Sequence, residues 1–314
     1  MEQRINVPRI FTALAKYLDT KIKQGRIDIP LDKGVGYCIG YHLNENIRIL
    51  ITDYQLNEEV SISNPELLSD KKIILFKFQG VLSDKTLGGK IKDIPRVLIA
   101  TSRINTENTI VIDCDHSITI EIDANYLQNQ LGTKEHSPSI KGLLEHNQPL
   151  LFEELVSPDL ISMLKALMES RDYGTFELFY LKIKAEQIIC SLLYQLEKRK
   201  DSSLYALNNQ DIQTIYKIRA LILSDLAHPP QLAALVNESN MSLSKLQRLF
   251  KQVFGRTVFN YYQEFRMKEA ARLLKEERLS VSEVGYSLGF TNLSHFSKTF
   301  ETHIGVKPKK YTRL

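Results

Sequence analysis

Two stretches of the chain place hydrogen-bonding and cationic side chains along one helical face, beside an apolar seam. They are PPQLAALVNESNMSLSKLQRLF, Pro229 to Phe250, and SVSEVGYSLGFTNLSHFSKTF, Ser280 to Phe300. In the first, Leu246 and Phe250 lie four apart; in the second, Phe296 and Phe300 do, and both pairs read as core. The outward set is Ser242, Ser244, Lys245, Gln247, Arg248 and Lys251, then Asn292, Ser294, His295 and Lys298. Short polar and basic side chains of this kind suit contacts to phosphate oxygens and to base edges. Arg can fork onto guanine and Gln onto adenine.

The elements that must hold these residues are also legible. Val281, Val284, Tyr286 and Leu288 give a short helix its apolar face, Gly289 stops it, and Thr291-Asn292 offers capping oxygens to the next helix. The earlier stretch repeats the anatomy: a short helix, a tight polar corner and a second amphipathic helix. In a helix-turn-helix the first helix braces the second, whose outer face can enter a major groove. One such match is a weak signal because helical hairpins are common; two in tandem are far more specific. Between them VFNYYQEFRMKEAARLLKEE reads as a helix of about twenty residues, hence about 30 Å long. That is close to the ~34 Å between successive major-groove faces on one side of a duplex.

Charge follows the same division. From Ile212 to the end there are 16 Lys+Arg against 8 Asp+Glu, a net of +8; residues 1–211 carry 25 against 29, a net of −4. A basic third on a mildly acidic two-thirds points to a polyanion met by the C-terminal part alone. A helical adaptor for another protein would need neither the basic excess nor a groove-matched spacer.

Upstream, Pro8 to Gly25 reads as a helix. Residues 31–122 hold short strand-like runs (YCIGYHL, RILITDY, KKIILFKF, RVLIATSRI, TIVIDC, HSITIEI) broken by Asn, Asp, Gly and Pro, which favours an antiparallel sandwich or barrel. A turn is expected at Lys90–Ile94 and a helix after Asp123, ended by Gly132. Pro158–Ser170 and Thr175–Lys200 read as helices joined by RDYG. The second is apolar around most of its girth, so it needs covering on two sides: by its own domain on one, and on the other either by a partner subunit or by the same domain closing round a central helix. Leu192 and Leu193 are candidates for that intermolecular contact. The organisation read here is residues 1–156 as a β-rich sensing domain, 157–200 as a helical dimerisation region, 201–211 as a linker and 212–314 as an all-helical domain. The fold class is thus α+β multidomain.

Other chemistries find little support. No His-x-His, phosphate loop or nucleophile elbow occurs, and IDCDHS, holding Asp113, Cys114, Asp115 and His116, is the one dense group of ligand types. Neighbours in a strand point to opposite faces, so this run cannot close on one metal by itself. The competing class is a metal-dependent enzyme on a barrel with a fused helical domain. Neither a signal peptide nor a bilayer-spanning run is read in the sequence, and Cys38, Cys114 and Cys190 read as reduced thiols in a cytoplasmic protein. No cofactor and no metal are expected.

The last hundred residues resemble the DNA-binding domain of the AraC/XylS family of bacterial transcription regulators. The resemblance rests on MSLSKLQRLFK, Gly255 with Thr257, Tyr261, Arg266, Ala270 and Leu273-Leu274. It continues through Val281, Val284, Gly289-Phe290, HFSKTF at 295–300, Gly305, Pro308 and Tyr311. Val236 and Gly285 depart from the alanine usual at their positions, Val258 from a common proline and Thr312 from a usual arginine. The resemblance implies base-facing roles for Ser244, Gln247 and Arg248, and for Leu293, Ser294 and Lys298. It further implies an operator in double-stranded DNA, RNA polymerase as a partner, an effector-responsive activator, a cupin-like N-terminal barrel and a homodimer. LFYLKIKAEQIICSLLYQL is similar to a segment of regulators related to those that sense siderophores.

Overall fold

Period-two alternation makes the strands one-sided, and that decides the layers. The computed structural model describes residues 9–63, 71–82, 94–104, 109–132, 135–145, 147–168, 174–199 and 204–313. The strands are β1 (Arg26–Asp28), β2 (Gly34–His42), β3 (Ile47–Ser63), β4 (Ile73–Gln79), β5 (Arg96–Thr101), β6 (Thr109–Asp123) and β7 (Leu151–Leu155). They form one sheet in the order β1-β2-β3-β6-β4-β5-β7, with every neighbouring pair antiparallel. Register aligns Ile49, Ile120, Phe76, Ile99 and Phe152 across five strands, and all five are buried.

That apolar face is covered by α2 (Ala124–Leu131), α3 (Pro138–Glu145), α4 (Pro158–Met168) and α5 (Glu177–Glu197), in one continuous core. At the β1-β2-β3 end of the other face, α1 (Arg9–Tyr17) packs Phe11 and Leu14 against Ile27, Cys38, Leu50 and Tyr54. Burial pushes the Cys38 thiol up to about 12, with Asp115 adding to the effect, so it is chemically quiet. Cys190 is exposed. The turn expected at Lys90–Ile94 and most of RDYG lie outside the described residues.

The sheet is antiparallel, as its sequence pattern indicates, but it is open, not a closed cupin-like barrel: β1 and β7 do not pair with each other. The helices supply the reason. They cover the face that a barrel would bury by curling on itself, so nothing is gained by closure.

The chain divides after Leu207, and the residues from Asn208 onward belong to the second unit. Among the described residues this part holds helices and no strand: α6 (Asn209–Ser224), α7 (Leu232–Ser239), α8 (Leu243–Phe254), α9 (Val258–Lys275), α10 (Val281–Ser287), α11 (Leu293–Ile304) and α12 (Pro308–Tyr311). Among the described residues no helix is long and apolar enough to cross a membrane.

Helix α5 has the two apolar sides read from its sequence, with a different assignment of residues. Leu181, Ala185, Ile188, Leu192 and Leu196 are fully buried and Leu193 nearly so, all within the core beneath the sheet. The outer side carries Phe179, Ile183 and Tyr194, with Phe176 exposed just before the helix. Leu192 and Leu193 are therefore intramolecular. Leu192→Glu would bury an unpaired carboxylate, at a cost of about 3–5 kcal/mol or more. It is expected to abolish the cooperative melting of the first unit, and a folded, monomeric variant in sedimentation would contradict this packing.

Candidate nucleic-acid interface

Each reading helix is set by its caps and its buried side. Asn240 adopts a left-handed conformation (φ 52°) where α7 ends, and the Ser242 hydroxyl then accepts from the Lys245 amide at 3.3 Å to start α8. Leu246, Leu249, Phe250 and Val253 are buried. Phe250 stacks with Phe254 at 4.6 Å and meets Tyr261 edge-on at 5.4 Å between centroids. Gly255 closes the helix with φ 69°.

The second motif repeats this with its own chemistry. Ser280 and Glu283 form a reciprocal capping box on α10, and the bonds to Ser280 hold the Glu283 carboxyl below its usual pKa. At the corner Gly289 has φ 76°, and a Cβ there would lie 2.0 Å from the Ala227 carbonyl oxygen, so no other residue fits. Asn292 then caps α11, its side-chain oxygen accepting from the Ser294 and His295 amides at 2.9 and 3.1 Å. Phe296 and Phe300 are fully buried and lead through Tyr311 into α12.

Helix α9 joins the two. Its 18 residues span about 27 Å, and it packs against α6, α8, α10, α11 and α12. Arg266 lies in its middle, 5% exposed. Its guanidinium donates twice to the Leu288 carbonyl, at 2.9 Å through Nε, and stacks 3.8 Å over the Phe290 ring. Leu288 ends α10, so this contact ties the corner of the second motif directly to the spacer.

Most of the acidic groups from Ile212 onward are engaged by neighbouring cations or caps off the candidate faces. Glu264 pairs with Arg256 and Lys268; Glu269, Glu276 and Glu277 all pair with Arg272. Glu238 pairs with Lys217, Asp225 with His228, and Glu283 serves the capping box. Seven of the eight carboxylates from Ile212 onward are thus accounted for; the eighth, Glu301, is exposed on α11.

The candidate residues divide into three groups. Ser244, Gln247, Arg248 and Lys251 on α8, and Ser294, His295 and Lys298 on α11, are exposed. Ser242 and Asn292 spend their side-chain oxygens on helix caps. Lys245 donates to Asp211 at 2.7 Å, and Leu293 is half-buried against α10. Sequence reasoning missed the Asp211–Lys245 pair, whose partners lie 34 residues apart with no pattern linking them. Arg266 was visible only as part of the resemblance; its buried stacking was not.

In IDCDHS, Asp115 accepts from Lys77 at 2.8 Å while the His116 ring meets Asp53 at 2.6 Å. Among the described residues no group of three or more His, Cys, Asp or Glu could hold a metal ion.

A family model for the helix-turn-helix domain matches residues 235–314. The HTH-type transcriptional regulator GbdR of Pseudomonas aeruginosa is 33% identical over 95 residues, 30% of this chain and 26% of that protein. The regulatory protein PchR of the same organism is 38% identical over 71 residues, 23% of this chain and 24% of that one. The chain thus spans about a quarter of the length of these curated relatives. A solved transcriptional regulator from Chromobacterium violaceum, described as of the AraC-type DNA-binding kind, is 26% identical with a TM-score of 0.32, covering 34% of this chain and 95% of that one.

Removing the guanidinium that ties α10 to α9 should loosen one motif and spare the other. Arg266→Ala is expected to cost about 2–3 kcal/mol and to speed amide hydrogen exchange across residues 280–300. Exchange in residues 229–250 should change little; an equal rise in both would show that Arg266 supports the unit as a whole.

Proposed function

Residues 235–314 are a helix-turn-helix domain of the AraC/XylS type, and from that premise we propose that the chain is a sequence-specific, DNA-binding transcription regulator. The observation that carries this is the pair of reading helices, each braced from behind and exposing polar and basic side chains, on one rigid spacer. A spacer of about 27 Å suits two successive major grooves on one face of a duplex. In this reading the regulator is a cytoplasmic activator that works with RNA polymerase at the promoter. The first unit serves as its effector-responsive part, shifting operator affinity by linkage.

The two helices do unequal work. On α8, Gln247 and Arg248 are long, exposed and able to make forked contacts to adenine and guanine. On α11, Ser294 is a short hydroxyl and Lys298 a point charge that cannot fork. Arg248→Ala should cost roughly 1–3 kcal/mol on the preferred site and relax preference at one base pair. Lys298→Ala should weaken binding evenly across sequences and lower the salt slope by about one. Titrations on randomised duplexes at two salt concentrations test both. Loss of base preference with Lys298→Ala but not with Arg248→Ala would reverse the assignment, and an absence of salt dependence would sink DNA binding itself.

The homodimer belongs to the same proposal. Phe179 is 65% exposed, Ile183 47% and Tyr194 65%, and with Cys190 they line one side of α5 whose opposite side is core. A second copy meeting this stripe about a two-fold axis would cover it isologously. Phe179→Glu and Ile183→Glu should give folded monomers with unchanged melting. Wild-type protein that sediments as a monomer at micromolar concentration would count against the dimer.

A further inference from the structure

The two motifs provide an internal comparison. Both reading helices begin with leucine, Leu243 after Ser242 and Leu293 after Asn292. Yet Leu243 is 44% exposed and Leu293 is half-buried. The bracing helices differ at the matching place, four residues before the left-handed corner residue: α7 has Val236 and α10 has Gly285. Gly285 is buried, and a Cβ built on it would fall 2.6 Å from Leu293 Cδ2 and 3.3 Å from Phe296 Cδ1. Carbon atoms pack at about 3.5–4.0 Å, so Leu293 already occupies the volume that any side chain at 285 would need.

The backbone does not demand glycine there. Gly285 is helical and absent from the positive-φ residues, and glycine inside a helix is destabilising relative to alanine. What the residue provides is room. We infer that Gly285 is a specificity-determining position: it lets Leu293 fold back onto α10, withholding an apolar side chain from the DNA-facing side of α11. The second helix is then left to read with Ser294 and Lys298, without the contact to a thymine methyl that a leucine at its first turn would make. The inference rests on α11 entering the major groove.

The nearest atom in the way at Gly285 is the far end of a flexible side chain, while the Phe296 ring need give only a few tenths of an ångström, so an added methyl should displace Leu293 and leave the fold intact. The experiment is selection of duplexes from a randomised pool by the full chain, as wild type, Gly285→Ala, Leu293→Ala and the double variant. Gly285→Ala is expected to gain a roughly fourfold preference for thymine at one position of the second half-site, the worth of about one methyl group removed from water. Preference at the first half-site should stay as it is. The double variant should return to the wild-type pattern, and Leu293→Ala alone should retain it. Two results would overturn the inference: loss of a base preference in Leu293→Ala, or no new preference in a folded Gly285→Ala. Should Gly285→Ala melt below the wild type, Leu293→Ala alone decides by the same criterion. A wild type that selects no duplex would bring down the DNA-reading premise and this inference with it, a result separate from either of the others.

Discussion

A helix of twelve residues cannot hold itself at a fixed angle in water, and both reading helices are that long. Their direction is imposed by what lies behind them, which is α9. Its buried residues alternate between the two sides: Tyr261 joins the aromatic stack of Phe250 and Phe254, while Arg266 stacks on Phe290 and holds the Leu288 carbonyl. One rigid element thereby fixes two recognition surfaces relative to each other. A guanidinium is an unusual choice for a site so little exposed. It satisfies a helix-end carbonyl and fills a flat aromatic slot at once, which no apolar residue of similar size could do.

Paired charges on α9 complete the arrangement. Arg272 collects three glutamates and Glu264 collects two cations, so the spacer's carboxylates are neutralised where they stand. As surface pairs they contribute little to stability. Their effect is on the field, since acidic groups left unpaired on the spacer would oppose approach to a polyanion.

What could be read from the residues follows a physical divide. Short strand-like runs between turn residues marked the strands within 31–122, and the four-residue spacings gave Leu246, Phe250, Phe296 and Phe300 as core, because those patterns are set within a few residues of chain. The cap at Asn292 was legible for the same reason. Closure of the sheet was not, because it depends on whether helices from later in the chain cover the apolar face. The girth of α5 showed that two sides needed cover, but not that Leu192 and Leu193 belong to the inner one. At the interface, Lys245 looked available until Asp211 was found beside it. The resemblance implied a base-facing Leu293, and its contact with Gly285 was not legible because the hollow there is made by an absent side chain on another helix.

Gly285 gives the two motifs different evolutionary freedom. On α8 the exposed Ser244, Gln247, Arg248 and Lys251 alternate with buried residues. In the proposed reading, substitutions there would alter what is read without disturbing the core behind them. On α11 the first residue shares its space with the helix behind it, so a larger side chain at 285 and a change at Leu293 are epistatic. Lineages descending from such a chain would drift readily in the preference of the first half-site. In the second, each shift that involves Leu293 would depend on the order in which paired substitutions arise.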